Sequence, residues 1–147
     1  MNKITIYEKY GGFDFFHNII YQLYIELFDH IEISYHFFGV DLKKLSLLQA
    51  QFLCEAIGGP TMYKGGNIQV VHKYMKVTEY EFETVVKRFE EIFERSGLEK
   101  DEVKFIGAFI RSNKAHIVTS KNSWIDRIAR YFYKRVIKFK KFFKILS

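Results

Sequence analysis

The chain has 147 residues, 23 Lys and Arg against 17 Asp and Glu, a formal charge of +6 and an apolar fraction of 48%. That length makes one ordinary domain with room for a real core, and the composition excludes wholesale disorder. The single cysteine, Cys54, excludes an intrachain disulfide framework and suits a reducing cytoplasm; no apolar run resembles a signal peptide or approaches the ~20 residues of a membrane span.

Sixteen Phe and ten Tyr accompany a single Pro. So many flat side chains with so few helix breakers favour an all-α protein packed around something large. The charge is unevenly placed. Residues 121–147 carry nine Lys or Arg and only Asp126 on the acid side, while residues 1–120 carry 14 basic and 16 acidic residues. The chain therefore divides into a near-neutral body, 1–120, and a basic extension, 121–147.

Apolar periodicity predicts helices at about 13–30, 42–57, 68–75, 79–96, 101–118 and 123–145. Gly11-Gly12, Gly58-Gly59-Pro60 and Gly65-Gly66 separate the first of them. On helix 13–30, Tyr24 lies on the stripe of Ile20, Leu27 and Phe28, so its ring should be buried while its hydroxyl seeks a partner. On helix 42–57, Leu42, Leu45, Phe52, Leu53 and Ala56 share one face with Gln49 near its centre. A buried amide without partners costs roughly 1–3 kcal/mol. A backbone group or a buried water would satisfy it, and so would a bound ligand. In the segment 68–75, His72 is flanked by Ile68 and Met75, which suits either a core histidine or the neutral imidazole that ligates haem iron. The spacing of His17, His30, His36 and His116 matches no zinc motif. Thr78 and Glu81 form a capping box at the start of helix 79–96, and Gly97 ends it.

The order of these features resembles the truncated hemoglobins, the two-over-two globins, and specifically group I, from Ile6 to about Val118. Ile6-Tyr7-Glu8-Lys9-Tyr10-Gly11-Gly12 is similar to the family's start, and Tyr24 falls on its distal tyrosine. His36-Phe37-Phe38-Gly39-Val40-Asp41 resembles its F-F-x-G-V-D segment, with Phe37 on the haem-packing phenylalanine. Leu45 and Gln49 match its distal leucine and glutamine. Phe52 precedes Ala56-Ile57-Gly58-Gly59-Pro60, which looks like A-L-G-G-P, and His72 falls on the proximal histidine. Three departures stand out: Phe38 replaces a small residue, His36 replaces the first phenylalanine of a pair, and Lys73-Tyr74-Met75-Lys76 replaces a glycine-containing turn.

The resemblance implies a two-over-two helical sandwich holding haem b, with His72 as iron ligand and Tyr24 and Gln49 as one network donating to bound dioxygen. Phe37, Leu45 and Phe52 would line the pocket, and Tyr63, Lys64 and Lys44 are candidates to meet the propionates. It further implies binding of dioxygen, nitric oxide or other diatomic ligands, in oxygen binding or in nitric-oxide dioxygenation supplied by an electron-donating reductase. With Leu45 in place of a distal histidine, His17 is the residue that would upset an open sixth position. A gas sensor is an alternative. So is a peroxidase-like enzyme, although that needs a distal acid–base group that Leu45 does not supply. A cofactor-free helical adaptor at a membrane surface is a third alternative.

Across 124–146, Ile125, Ile128, Phe132, Val136, Phe139 and Phe143 share one sector of a helical wheel, opposite Arg127, Arg130, Lys134, Lys138 and Lys141. This pattern suits an additional C-terminal amphipathic helix on an anionic membrane surface, which would make a cytoplasmic protein peripheral. It equally suits docking on the body or self-association. Nucleic acid ranks third, since the body offers no basic groove.

Overall fold

The computed structural model describes residues 3–120, together with Ile128, Phe132 and Val136. A four-residue helix, α1 (Ile6–Lys9), opens the chain behind a capping box of Thr5 and Glu8. Gly11 and Gly12, both at positive φ, turn it into α2 (Phe13–Asp29). A short 3-10 turn, Ser34–Phe37, leads to α3 (Leu42–Ala56), capped by Asp41. The short α4 (Ile68–His72) follows a long loop, and then come β1 (Val77–Thr78), α5 (Glu79–Arg95), α6 (Lys100–Ser112), α7 (Lys114–Ile117) and β2 (Val118–Ser120).

Two helix pairs, α2 on α3 and α5 on α6, stack through α2 against α5. Between them lies the core, where Phe16, Ile20, Leu23 and Leu27 of α2 meet Ala50, Leu53 and Cys54 of α3, Phe93 of α5 and Ile106 of α6. This is the expected all-α two-over-two sandwich. Burial pushes the Cys54 thiol up to about 12, which leaves it a core residue without thiolate chemistry.

Glycine is required where α1 meets the end of α3. The Tyr7 amide donates to the Ile57 carbonyl at 3.1 Å. Gly58 sits at φ +96°, and a Cβ there would come within 2.6 Å of the Thr5 side chain; at Gly59 it would come within 2.8 Å of the Cys54 carbonyl. Gly97, at φ +93°, follows α5 as the sequence predicts.

Three expected features take a different form. The helix predicted over 101–118 breaks at Asn113, whose amide nitrogen donates to the Phe109 carbonyl at 3.0 Å, so a side chain competes with the backbone ladder. Helix 68–75 stops at His72, and the following turn puts Lys76 at φ +51°, a conformation that favours glycine. Val77 and Thr78 pair in parallel with Val118 and Ser120, a two-stranded tie too short to leave an alternating pattern. The predicted helix 123–145 lies outside the described residues, apart from Ile128, Phe132 and Val136, which are helical and exposed. Among the described residues no helix is long and apolar enough to cross a membrane.

Candidate functional site

A cavity partly continuous with solvent lies between the helix pairs and α4. Tyr24, Phe37, Gln49, Phe52, Tyr63 and His72, all singled out from sequence, line it together.

Each is positioned by a local cause. Tyr24 is 6% exposed on the inner face of α2. Its ring meets Phe37 edge-on at 5.8 Å, and Phe37 stacks on Phe28 at 4.9 Å, so three aromatic rings hold one another. Burial raises the Tyr24 pKa, keeping the phenol protonated and able to donate. Among the described residues, neither the Tyr24 hydroxyl nor the Gln49 amide has a hydrogen-bond partner. Both groups border the same space.

His72 ends α4. Its Nδ1 lies 2.8 Å from the Ile68 carbonyl one turn back, which places the proton on Nδ1 and leaves the Nε2 lone pair free. Burial lowers its pKa, the Ile68 contact raises it, and the nearby His36 lowers it further. The net direction is downward, which favours the neutral imidazole that a metal requires.

The Glu55 carboxylate accepts from the Met62 and Tyr63 amides, fixing the loop that carries the Tyr63 ring against Phe52 at 5.2 Å. The Tyr63 hydroxyl is committed to the Gly66 carbonyl at 2.9 Å. One expected lining residue, Leu45, and two propionate candidates, Lys44 and Lys64, stand outside this wall. Leu45 lies one turn before Gln49 and packs against the helical core. Lys44 and Lys64 are exposed and outside the wall; their backbone amides bond Asp41 and Gln51. Phe38, the bulky departure from the family pattern, is 75% exposed and does not crowd the cavity.

His17 is also outside the wall. Two turns before Tyr24 on α2, its Nε2 lies 3.5 Å from the buried Ser46 hydroxyl, and its ring stacks on Phe13. The second imidazole in the wall is instead His36, which stands where the family pattern has a phenylalanine. Its side chain is 6% exposed, and its Nε2 lies 3.3 Å from Glu81 Oε2, off the line of a directed hydrogen bond. Glu81 also lines the cavity. Oε2 accepts from the Thr78 amide at 2.9 Å, completing the predicted capping box, while Oε1 accepts from the Tyr35 hydroxyl. Burial alone would raise this carboxyl, but His36, Tyr35 and Thr78 outweigh it and hold it down to about 2.

The bacterial-like globin family matches residues 5–119 of this sequence. The chain belongs to that family. Among its relatives are the group 1 truncated hemoglobin of Tetrahymena pyriformis, 31% identical over 59% of this chain and 73% of the relative, and GlbN of Mycolicibacterium paratuberculosis, also a group 1 truncated hemoglobin, 24% identical over 80% and 86%. The solved Fe(III) truncated hemoglobin of T. pyriformis superposes with a TM-score of 0.73 at 23% identity, covering 78% of this chain and 98% of that one. A group II truncated hemoglobin from Bacillus anthracis gives 0.75 at 22%, covering 84% and 98%. This globin is thus a truncated hemoglobin of group 1 by sequence, with the two-over-two fold. Membership carries haem binding and, through haem, the capacity to bind dioxygen and other diatomic gases.

Proposed function

We propose that this truncated hemoglobin holds haem b with His72 Nε2 on the iron and with Tyr24 and Gln49 facing the bound gas. The carrying observation is the convergence of three groups on one cavity: an imidazole whose other nitrogen is already committed, and a phenol and an amide that no described residue satisfies. The donor set fits the cofactor. Phe37, Phe52 and Phe109 supply flat apolar surface for a macrocycle, and Cys54, buried in the core, is not placed to form a thioether to it.

When bound, haem supplies an iron that takes up diatomic gases. The protein's part is orientation and charge. His72 fixes the iron's position through the short α4, and the Tyr24 and Gln49 donors slow loss of a ligand that carries partial negative charge. Exclusion of water by the aromatic wall strengthens both bonds. Tight retention of dioxygen suits conversion of nitric oxide to nitrate, the reaction this reading favours. It consumes nitric oxide, dioxygen and one electron, so a one-electron donor of the reductase class is its required partner. For residues 121–147, the basic and apolar pattern supports an anionic membrane surface, which would place this globin peripherally on the cytoplasmic side.

The purified chain is expected to show a Soret band at one haem per chain. H72A is expected to lose haem or to change its spectrum; stoichiometric haem with an unchanged spectrum in H72A would falsify the assignment.

A further inference from the structure

We propose that the buried Glu81 carboxylate and the His36 imidazole beside it form a couple that sets the reduction potential of the haem iron, with Glu81 favouring the ferric state and the His36 N–H dipole opposing it. This rests on the haem-binding reading above.

Of the described residues lining the cavity, Glu81 alone carries a carboxylate. It is 3% exposed, whereas the nearby Glu79 and Glu83 are at the surface and paired with Lys114 and Arg111. A capping box needs only an acceptor, and glutamine serves as well as glutamate. The charge is therefore surplus to the cap. It is also secured: the Thr78 amide and hydroxyl hold one oxygen, the Tyr35 hydroxyl holds the other, and the carboxyl stays ionised throughout the neutral range.

A fixed negative charge in a water-poor wall acts over a long range. Ferric iron carries one more positive charge than ferrous iron, so Glu81 stabilises the ferric form and lowers the potential. His36 Nε2 lies 3.3 Å from that carboxylate without a directed hydrogen bond, and an N–H dipole at that distance offsets part of the charge. Because dioxygen binds ferrous iron, the couple governs how much of the protein is competent at a given strength of electron donor.

The test is a spectroelectrochemical titration of the haem-loaded full chain. Glu81→Gln keeps the cap through its amide oxygen and removes the charge, with its NH2 facing the Tyr35 hydroxyl, which rotates to accept. It is expected to raise the midpoint potential by enough to change the ferric-to-ferrous ratio about tenfold, 59 mV for a one-electron couple. Asp101→Asn, a surface carboxylate whose side chain is 94% exposed, is expected to leave it unmoved. An E81Q protein that holds haem with an unchanged or lower potential overturns the couple while leaving the haem reading intact. If E81Q loses haem, His36→Phe reads the couple with opposite sign: a lower potential supports it, and an unchanged or higher one overturns it. Loss of haem by both variants would mark the pair as structural and also overturn the proposal. A wild-type chain that binds no haem would instead overturn the underlying reading.

Discussion

The wall carrying Tyr24 and Gln49 rests on two helices of 17 and 15 residues whose inner faces form the core of the protein, whereas the wall carrying His72 hangs from the five-residue α4, none of whose residues is buried. Tyr24 is held by two rings and by the helix beneath it. His72 is held by one carbonyl contact and by the Asn67 side chain that caps α4. The side carrying Tyr24 and Gln49 is thus built by the core itself. The side carrying His72 lacks a core of its own, and under the proposed reading haem would complete it.

The largest expected effect follows from that contrast. In the haem-free chain, amides of α4 should exchange with solvent roughly a hundredfold or more faster than those of α2 and α3, because local opening there exposes almost no apolar surface. Haem should close most of that gap, as a ligand that binds only the folded segment stabilises it. Equal protection of α4 and α3 in the apoprotein, by hydrogen exchange, would break the comparison.

The rigid side is tested by Y24F combined with Q49L. Removing two hydrogen bonds of about 1 kcal/mol each should speed oxygen release roughly thirty-fold. A stopped-flow dissociation rate equal to wild type would remove the two side chains from the network.

A smaller effect concerns the Glu81 contact between the turn before Phe37 and the start of α5. Its carboxyl is held at about 2 against an ordinary 4.5, so the unfolded chain takes up the proton first as pH falls. The stability it contributes is fully present above pH 4.5 and is lost as pH falls through about 2. Thermal unfolding of the apoprotein at stepped pH should therefore show wild type and E81Q converging across that window; a constant separation would contradict the assignment. The smallest change is at Lys76. Replacing it with glycine should relieve a left-handed backbone and stabilise the turn after His72 by about 0.5–1 kcal/mol, read as a raised Tm.

Much of the frame was legible in sequence because it rests on local chemistry. The Thr78–Glu81 cap, the break at Gly97 and the inward placement of Tyr24, Gln49 and His72 follow from periodicity and from the conformations only glycine adopts easily. What was not legible depends on second partners. Glu81 reads as a cap because Thr78 is three residues away, but Tyr35 and His36 reach it from 46 and 45 residues earlier in the chain, a distance no local pattern covers. His36 was hidden for the same reason, since its meaning depends on the carboxylate it faces. The break at Asn113 was masked because apolar spacing continues through it, and Leu45, one turn before Gln49 on the same helix, packs against the core, a distinction that spacing alone does not make.

The parallel pairing of Val77–Thr78 with Val118–Ser120 also has a mechanical consequence. Whatever grips the chain beyond Ser120 pulls on β2, and β2 passes that load sideways to a strand beginning five residues after His72. A tether on the extension therefore tugs at the turn after His72 as directly as it tugs at α5.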